Sequence, residues 1–240
     1  MLISTTGIIF HVSNYSETSL IAKVYTRQFG LQSYIVKGVR KKGSKIKRNL
    51  FGPLSVVELV AYQKENSGLH TIRDVSCHRQ FNEISTDIIK SSILLFMNEL
   101  LYRSIHDEMP DPGLFSFILE SLNSLESLGE NLAGFPQIFA LQLSDHLGFA
   151  PHKNYTARNS YFDLQEGRFA PIVPEHNYFL LPEYSKSLAF LLQLSPGMDD
   201  CLDHSTRLVL LEKILQYFRL HLPSFGEMKS PHILNTVLRD

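Results

Sequence analysis

Thr18-Ser-Leu-Ile-Ala-Lys-Val-Tyr-Thr-Arg-Gln-Phe29 decides how the first third of the chain is read. Leu20, Ala22 and Val24 alternate with Ile21, Lys23, Tyr25, Arg27 and Phe29. That period of two sends one set of side chains to each face of a sheet. On the N-terminal side, Leu2 to Val12 is rich in Ile, Thr, Val and Phe and reads as a strand, with a turn over Ser13-Asn-Tyr-Ser-Glu17. On the other side, Gly30 supplies a bend and Leu31 to Lys37 a third strand. A basic loop follows from Gly38 to Asn49, then a strand from Pro53 to about Gln63, a turn at Asn66-Ser-Gly68 and a fifth strand from Leu69 to about Gln80. Five strands with one long loop after the third suit a small closed barrel, with the OB-fold leading and an SH3-like barrel fitting the same pattern.

From Glu83 the period changes to about 3.6. Ile89, Ile93, Phe96 and Leu100 form one helix face, and Phe115, Ile118, Leu122 and Leu125 a second. Pro110-Asp-Pro-Gly113 breaks the chain between them, because proline lacks the donor a helix interior needs. Phe139, Leu143 and Leu147 mark a third helix, ended by Gly148 and Pro151. Residues 152–182 read as irregular, with strand-like pieces at Tyr161–Asp163 and Phe169–Val173. Pro182 opens a helix to about Leu194 that Pro196-Gly197 closes. Leu208, Leu211, Leu215, Phe218 and Leu222 carry the last long helix, and Ile233, Leu234, Val237 and Leu238 a short final one. The expected class is α+β in two domains: a five-stranded OB barrel over 1–80, then a mainly helical domain over 81–240 with an irregular insert at about 150–182.

Apolar residues make up 44% of the 240 and charged residues 20%, which supports a packed core and argues against wholesale disorder. The net charge of −1 hides an asymmetry. Residues 1–80 hold 12 Lys/Arg and 4 Asp/Glu, whereas 81–240 hold 11 and 20. A basic part joined to an acidic part points to different partners for each. Cys77 and Cys201, 124 positions apart, make neither a disulfide framework nor a zinc knuckle. No Lys or Arg precedes Lys23, so the basic region of a secretory signal is missing. The longest uncharged run, Met1 to Ser16, is interrupted by polar residues and falls short of the ~18 apolar residues of a membrane span. A soluble, cytoplasmic protein is expected.

The sharpest signal is Lys37-Gly-Val-Arg-Lys-Lys-Gly-Ser-Lys-Ile-Lys-Arg48, in which seven of twelve residues are basic and none acidic. Such density repels itself unless a polyanion takes up the charge, and phosphates do so with release of counterions. Lys23, Tyr25 and Arg27 share one face of the preceding hairpin, which suggests cations tracking phosphates beside a ring stacking on bases. The candidate nucleic-acid-binding residues are therefore Lys23, Tyr25, Arg27, Lys37, Arg40, Lys41, Lys42, Lys45, Lys47 and Arg48. Tyr34 and Phe10 are further stacking candidates whose facing the sequence leaves open. The bland alternative is a solvated loop.

Other patterns carry less. Gly38 and Gly43 have the spacing of a phosphate-binding P-loop, but Ser44-Lys45 reverses the order that motif needs and a strand follows instead of a helix. Asp199, Asp200, Asp203 and His204 are spaced for a metal, yet they precede a helix where Asp is expected as a cap. His146 and His221 read as packed or hydrogen-bonded side chains. No nucleophile–base pairing is present, and no catalytic residue, metal ligand or cofactor is assigned.

Thr6-Gly-Ile-Ile9, Tyr15-Ser-Glu-Thr-Ser19, Val24-Tyr-Thr26, Gly30 and Val36-Lys-Gly-Val-Arg40, in that order, resemble the opening of the bacterial recombination mediators of the RecO family. Leu215-Gln-Tyr-Phe-Arg-Leu-His-Leu-Pro-Ser-Phe-Gly-Glu-Met-Lys-Ser-Pro-His-Ile-Leu234 resembles the terminal helix pair of that family's Bacteroidetes-like branch. The resemblance implies an N-terminal OB-fold, a helical C-terminal domain and non-catalytic, nucleoid-associated work in the RecF pathway. That work is binding single- and double-stranded DNA, annealing complementary strands and helping RecA displace single-strand-binding protein (SSB), with RecR as partner. It places the basic loop on the family's Lys-Gly-x-Arg stretch, at Lys37 and Arg40. It also implies docking of the acidic, apolar SSB tail on the C-terminal domain, for which Lys186, Arg207, Lys213 and Arg219 are the cations available. Arg207 and Lys213 read equally as surface partners of Glu212 and its neighbours. Many relatives hold zinc there with four cysteines. The matching stretch, about 150–180, has none, so no structural zinc is expected, and packing of Tyr161, Phe162, Phe169, Val173 and Phe179 is expected in its place. An RNA- or ribosome-binding barrel and a protein-docking adaptor are the alternative functions, since phosphates do not reveal the sugar and an acidic tail also answers a basic loop.

Overall fold

The computed structural model describes residues 1–41, 43–63, 68–106 and 108–238. Lys42 and the turn residues Asn66 and Ser67 lie outside them. No helix among the described residues is long and apolar enough to cross a membrane.

Five strands close into a barrel: β1 (Leu2–Asn14), β2 (Leu20–Thr26), β3 (Gly30–Val36), β4 (Val56–Tyr62) and β5 (His70–Arg79), in the order β1-β2-β3-β5-β4 with β4 returning to β1. β3 pairs with β5 in parallel and every other pair is antiparallel. This is the Greek-key closure of an OB-fold and removes the SH3-like alternative. Of the two alternating sets on β2, one faces inward, and Phe29, grouped with the other, packs against the core from beyond the strand end. Leu20, Ala22 and Val24 pack inside with Ile3, Ile9, Val36, Val57, Leu59, Ala61 and Ile72. Gly7 also points inward, where a side chain would strike Val24. Two local readings differ. Gly30 is the first residue of β3 at φ 62°, paired with Thr26, so the bend lies over 27–29. A short 3-10 helix, Arg48–Phe51, comes between the basic loop and β4, where a strand was expected to follow directly.

The described residues form two compact units. The first is Met1–Asn82 with Ile105–Leu119, and the second is Glu83–Ser104 with everything from Glu120 onward. The expected single cut after residue 80 does not capture this return of the chain. Its physical cause is the outer face of the barrel. Tyr25 points away from the interior yet is only 1% exposed. Its ring stacks on Phe10 (centroids 5.5 Å apart) and on Phe115 (6.1 Å), and its hydroxyl donates to the Asp111 carbonyl at 3.4 Å. A side chain at Gly30 would run into the Glu108 carbonyl. Apolar outward residues need a cover, and 105–119 supplies it.

The second unit takes in α1 (Asn82–Thr86), α2 (Ile88–Ser104), the later part of α3 (Pro112–Ser127), α4 (Phe135–His146), α5 (Pro182–Leu191), α6 (His204–His221) and α7 (Ser230–Val237). A small sheet, β6 (Tyr161–Asp163), β7 (Arg168–Ala170) and β8 (Phe179–Leu180), stands in the order β7-β6-β8. In this stretch Phe162 and Phe169 are buried with ring centroids 4.8 Å apart, and Tyr161 meets Phe179 edge-on. Val173 does not pack as expected and is 47% exposed, because β7 ends at Ala170. Side-chain hydrogen bonds supply the rest. Asn154 donates to the Phe169 carbonyl (2.9 Å) and accepts from its N–H (3.0 Å), and the Asp163 carboxylate accepts from the Gln165 and Glu166 N–H groups.

Candidate nucleic-acid interface

The basic loop joins β3 to β4 and is fixed from beneath by its own apolar residues. Val39 and Phe51 are buried in the barrel core, and Ile46 and Leu50 pack against it. With those four turned inward, the cations between them turn outward: Lys37, Arg40, Lys41, Lys45, Lys47 and Arg48 are all exposed. Internal hydrogen bonds shape the loop, from Lys41 N–H to the Gly38 carbonyl (3.1 Å), Ser44 N–H to the Lys41 carbonyl (3.1 Å) and the Ser44 hydroxyl to the Ile46 carbonyl (3.0 Å). Gly38 (φ 70°) and Gly43 (φ 79°) take left-handed conformations that favour glycine. Arg40 ties the loop to the β1–β2 connection. Its N–H donates to the Thr18 carbonyl at 3.2 Å and its guanidinium to the Ser16 carbonyl at 3.3 Å.

The ion pairs among the described residues involve none of these six cations. Among the described residues, no contacting carboxylate cancels their charge. Lys42 belongs to the same run but lies outside the described residues.

The hairpin residues divide. Lys23 lies at mid-strand, paired with Ser33 on β3 and His11 on β1. Leu20 pairs with Val36 at the loop end of the hairpin and Thr26 with Gly30 at its tip. Arg27, just past that tip, is therefore about 20 Å along the strands from Lys37. Between them sits the covered Tyr25. Tyr25 does share the outer face with Lys23, as expected, but the face is closed over it, so its ring is not a surface on which a base stacks. Phe10 is buried against it. Tyr34 faces the barrel interior, 0% exposed, with burial pushing its hydroxyl pKa well above the usual tyrosine range. The open outer face consists instead of His11, Lys23 and Ser33 in one row and Ser13, Ile21 and Ile35 in the next, beside the loop. Sequence reasoning missed His11. The signal that finds it is register, which one strand alone does not carry.

The P-loop comparison ends at the helix. Only the four-residue 3-10 turn follows the glycines, and phosphate-binding loops need a helix N-terminus. The acidic cluster is a cap: Asp203 accepts from Thr206 N–H at 2.9 Å and from both the Ser205 and Thr206 hydroxyls, which holds its carboxyl well below the usual range. Asp200 pairs with Arg207 at 2.9 Å. Arg207 is thus bound to Asp200, and Lys213 donates to Gln216 at 3.1 Å, so Glu212 is the hydrogen-bonded partner of neither. His221 is packed as expected: it lies flat on Phe149 and is hydrogen-bonded to the Leu164 carbonyl at 3.0 Å. His146 is exposed at the end of α4.

Residues 1–81 match the family described as Recombination protein O N terminal, and residues 85–230 match Recombination protein O C terminal. The chain belongs to the RecO family. Among curated RecO proteins it is similar to DNA repair protein RecO of Phocaeicola vulgatus, 31% identical over 239 residues, covering 98% of each chain. It is 32% identical to that of Bacteroides fragilis over 237 residues (98% of each) and 32% identical to that of Flavobacterium psychrophilum over 241 (99% of each). RecO membership sets the role of the chain in DNA repair and recombination, and the OB barrel is the part that matches the RecO N-terminal region.

Proposed function

We propose that the chain is a non-catalytic DNA-binding mediator of recombination. The basic loop, with Lys23 beside it, neutralises phosphates on single- or double-stranded DNA. Complementary strands then approach without their full mutual repulsion and anneal. The same contacts assist RecA on SSB-coated DNA, with RecR as partner. One observation carries the reading: six exposed cations on one anchored loop, none paired with a carboxylate among the described residues, on an OB barrel. Lys42 joins them by its place in the run. Arg27 contributes to a separate contact or none.

For the SSB tail, a cation beside an apolar cleft is needed. Arg219 stands at a cleft of about 370 Å³ between α6 and α7, lined by Leu211, Leu215, Met228 and Pro231. Of Lys186, Arg207, Lys213 and Arg219, Arg219 is the cation that lines this cleft, and Arg207 is occupied by Asp200, which makes Arg219 the better docking residue.

The test is titration of fluorescent single-stranded DNA at several salt concentrations. If ~4–6 phosphates are neutralised, log K falls with log salt at a slope of about −3 to −5. The variant with Arg40, Lys41, Lys45 and Lys47 all changed to Glu should stay folded and lose binding. Unchanged affinity in that variant overturns the proposal.

A further inference from the structure

Across the open outer face, three adjacent strands bring His11, Lys23 and Ser33 into one row. His11 pairs with Lys23 and Lys23 with Ser33. Directly opposed residues on neighbouring strands have Cβ atoms about 5 Å apart. The row is made possible by the irregularity in β1 between Ile9 and His11, which inserts Phe10 as an extra residue and returns His11 to the outer side. Without that insertion the period of two would turn position 11 inward with Ile9.

The chemistry of the row is specific. Ser33 carries a hydroxyl donor, Lys23 a fixed cation and His11 an imidazole that gains a second donor and a charge on protonation. Lys23 is the charged group facing His11 from β2. Position 33 on β3 is uncharged, and so is the Pro53-Leu-Ser55 segment, whose Leu54 and Ser55 hydrogen-bond to Ile9. Partial burial and the Lys23 charge both disfavour the imidazolium in the free protein. A phosphate over the row reverses the second effect, because it screens Lys23 and attracts the imidazolium itself.

We propose that a phosphodiester of the bound strand sits over the His11–Lys23–Ser33 row and that binding takes up one proton at His11. This rests on the DNA-binding reading above and adds to it His11 and Ser33 as a defined phosphate subsite on the strands around Lys23, together with a dependence on pH. The sign follows from linkage. A group that binds its proton more tightly in the complex makes the complex tighter as pH falls.

The experiment titrates a fluorescent single-stranded oligonucleotide between pH 8.0 and 5.5 at fixed ionic strength. It compares wild type, His11→Gln, His11→Lys and the charge-reversed loop. Wild type should gain about tenfold in affinity toward pH 5.5 beyond whatever His11→Gln gains, since an opposite charge nearby shifts such a group by about one unit or more. His11→Lys should bind at pH 8.0 about as tightly as wild type does at pH 5.5, with the extra pH dependence gone. Parallel profiles for wild type and His11→Gln, with wild type still binding and the loop variant not, overturn this inference and leave the DNA-binding reading standing. Failure of wild type to bind at low salt overturns both.

Discussion

Removing the Tyr25 ring and removing its hydroxyl should have very different consequences. The ring is buried between Phe10 and Phe115, whereas the hydroxyl donates to the Asp111 carbonyl at 3.4 Å. Tyr25→Ala should therefore cost about 3–5 kcal/mol of stability in chemical denaturation, as large aromatic truncations do. Tyr25→Phe should change stability by under about 1 kcal/mol and leave DNA affinity within about twofold. A Tyr25→Ala protein as stable as wild type but poor at binding DNA would show that the ring meets bases after all. The alternation in Thr18–Phe29 correctly puts Tyr25 on the outer side with Lys23. Whether an outer side is wet depends on what lies over it, and that comes from residues some 90 positions away.

At the scale of elements, the short C-terminal helix α7 is held by a carboxylate from α2. Glu99 accepts hydrogen bonds from the Lys229 N–H (2.9 Å) and Ser230 N–H (2.8 Å), two of the donors a helix start leaves open. Arg103 pairs with Glu99 at 3.0 Å and donates to the Phe225 carbonyl at 3.2 Å. Burial alone would raise the Glu99 pKa. The bonds from Ser230, Lys229 and Arg103 outweigh it and hold the group below its ordinary value. Its contribution is thus fully present above about pH 4.5 and is lost as pH falls through the lower folded value. Glu99→Gln should cost about 1–3 kcal/mol at pH 7 and speed amide exchange in α7. The gap from wild type should close in acid, where both side chains are neutral. A constant gap down to pH 3 would assign the effect to packing instead. The basic loop is the element read most completely from sequence, because seven cations in twelve positions need no partner to be conspicuous. Its anchors Val39, Ile46, Leu50 and Phe51 were not read, since four scattered apolar residues in a polar run show no period.

At the scale of the whole molecule, the first unit is discontinuous in sequence. A fragment ending at Asn82 has all five strands but lacks 105–119, and so uncovers Tyr25 and Phe10. Exposing two such rings costs of order 5–10 kcal/mol, comparable to the stability of a small domain. The fragment should lose cooperative thermal unfolding or precipitate, whereas the full chain should unfold cooperatively. A soluble fragment with an unchanged melting transition would show that the returning segment is dispensable.

The sequence by itself determined the strand and helix periods, the two alternating faces of the β2 hairpin strand, the concentration of positive charge in one loop and the cap at Asp203. Each of these is local: side-chain alternation, turn chemistry and charge density act within a few residues of chain. Only the tertiary structure decided the closure β1-β2-β3-β5-β4, the burial of Tyr25, the separation of Arg27 from the loop and the meeting of His11 with Lys23. Those depend on register across strands and on which distant segment covers an apolar face. Both are settled by total burial and pairing energy over the whole chain, which no short stretch encodes.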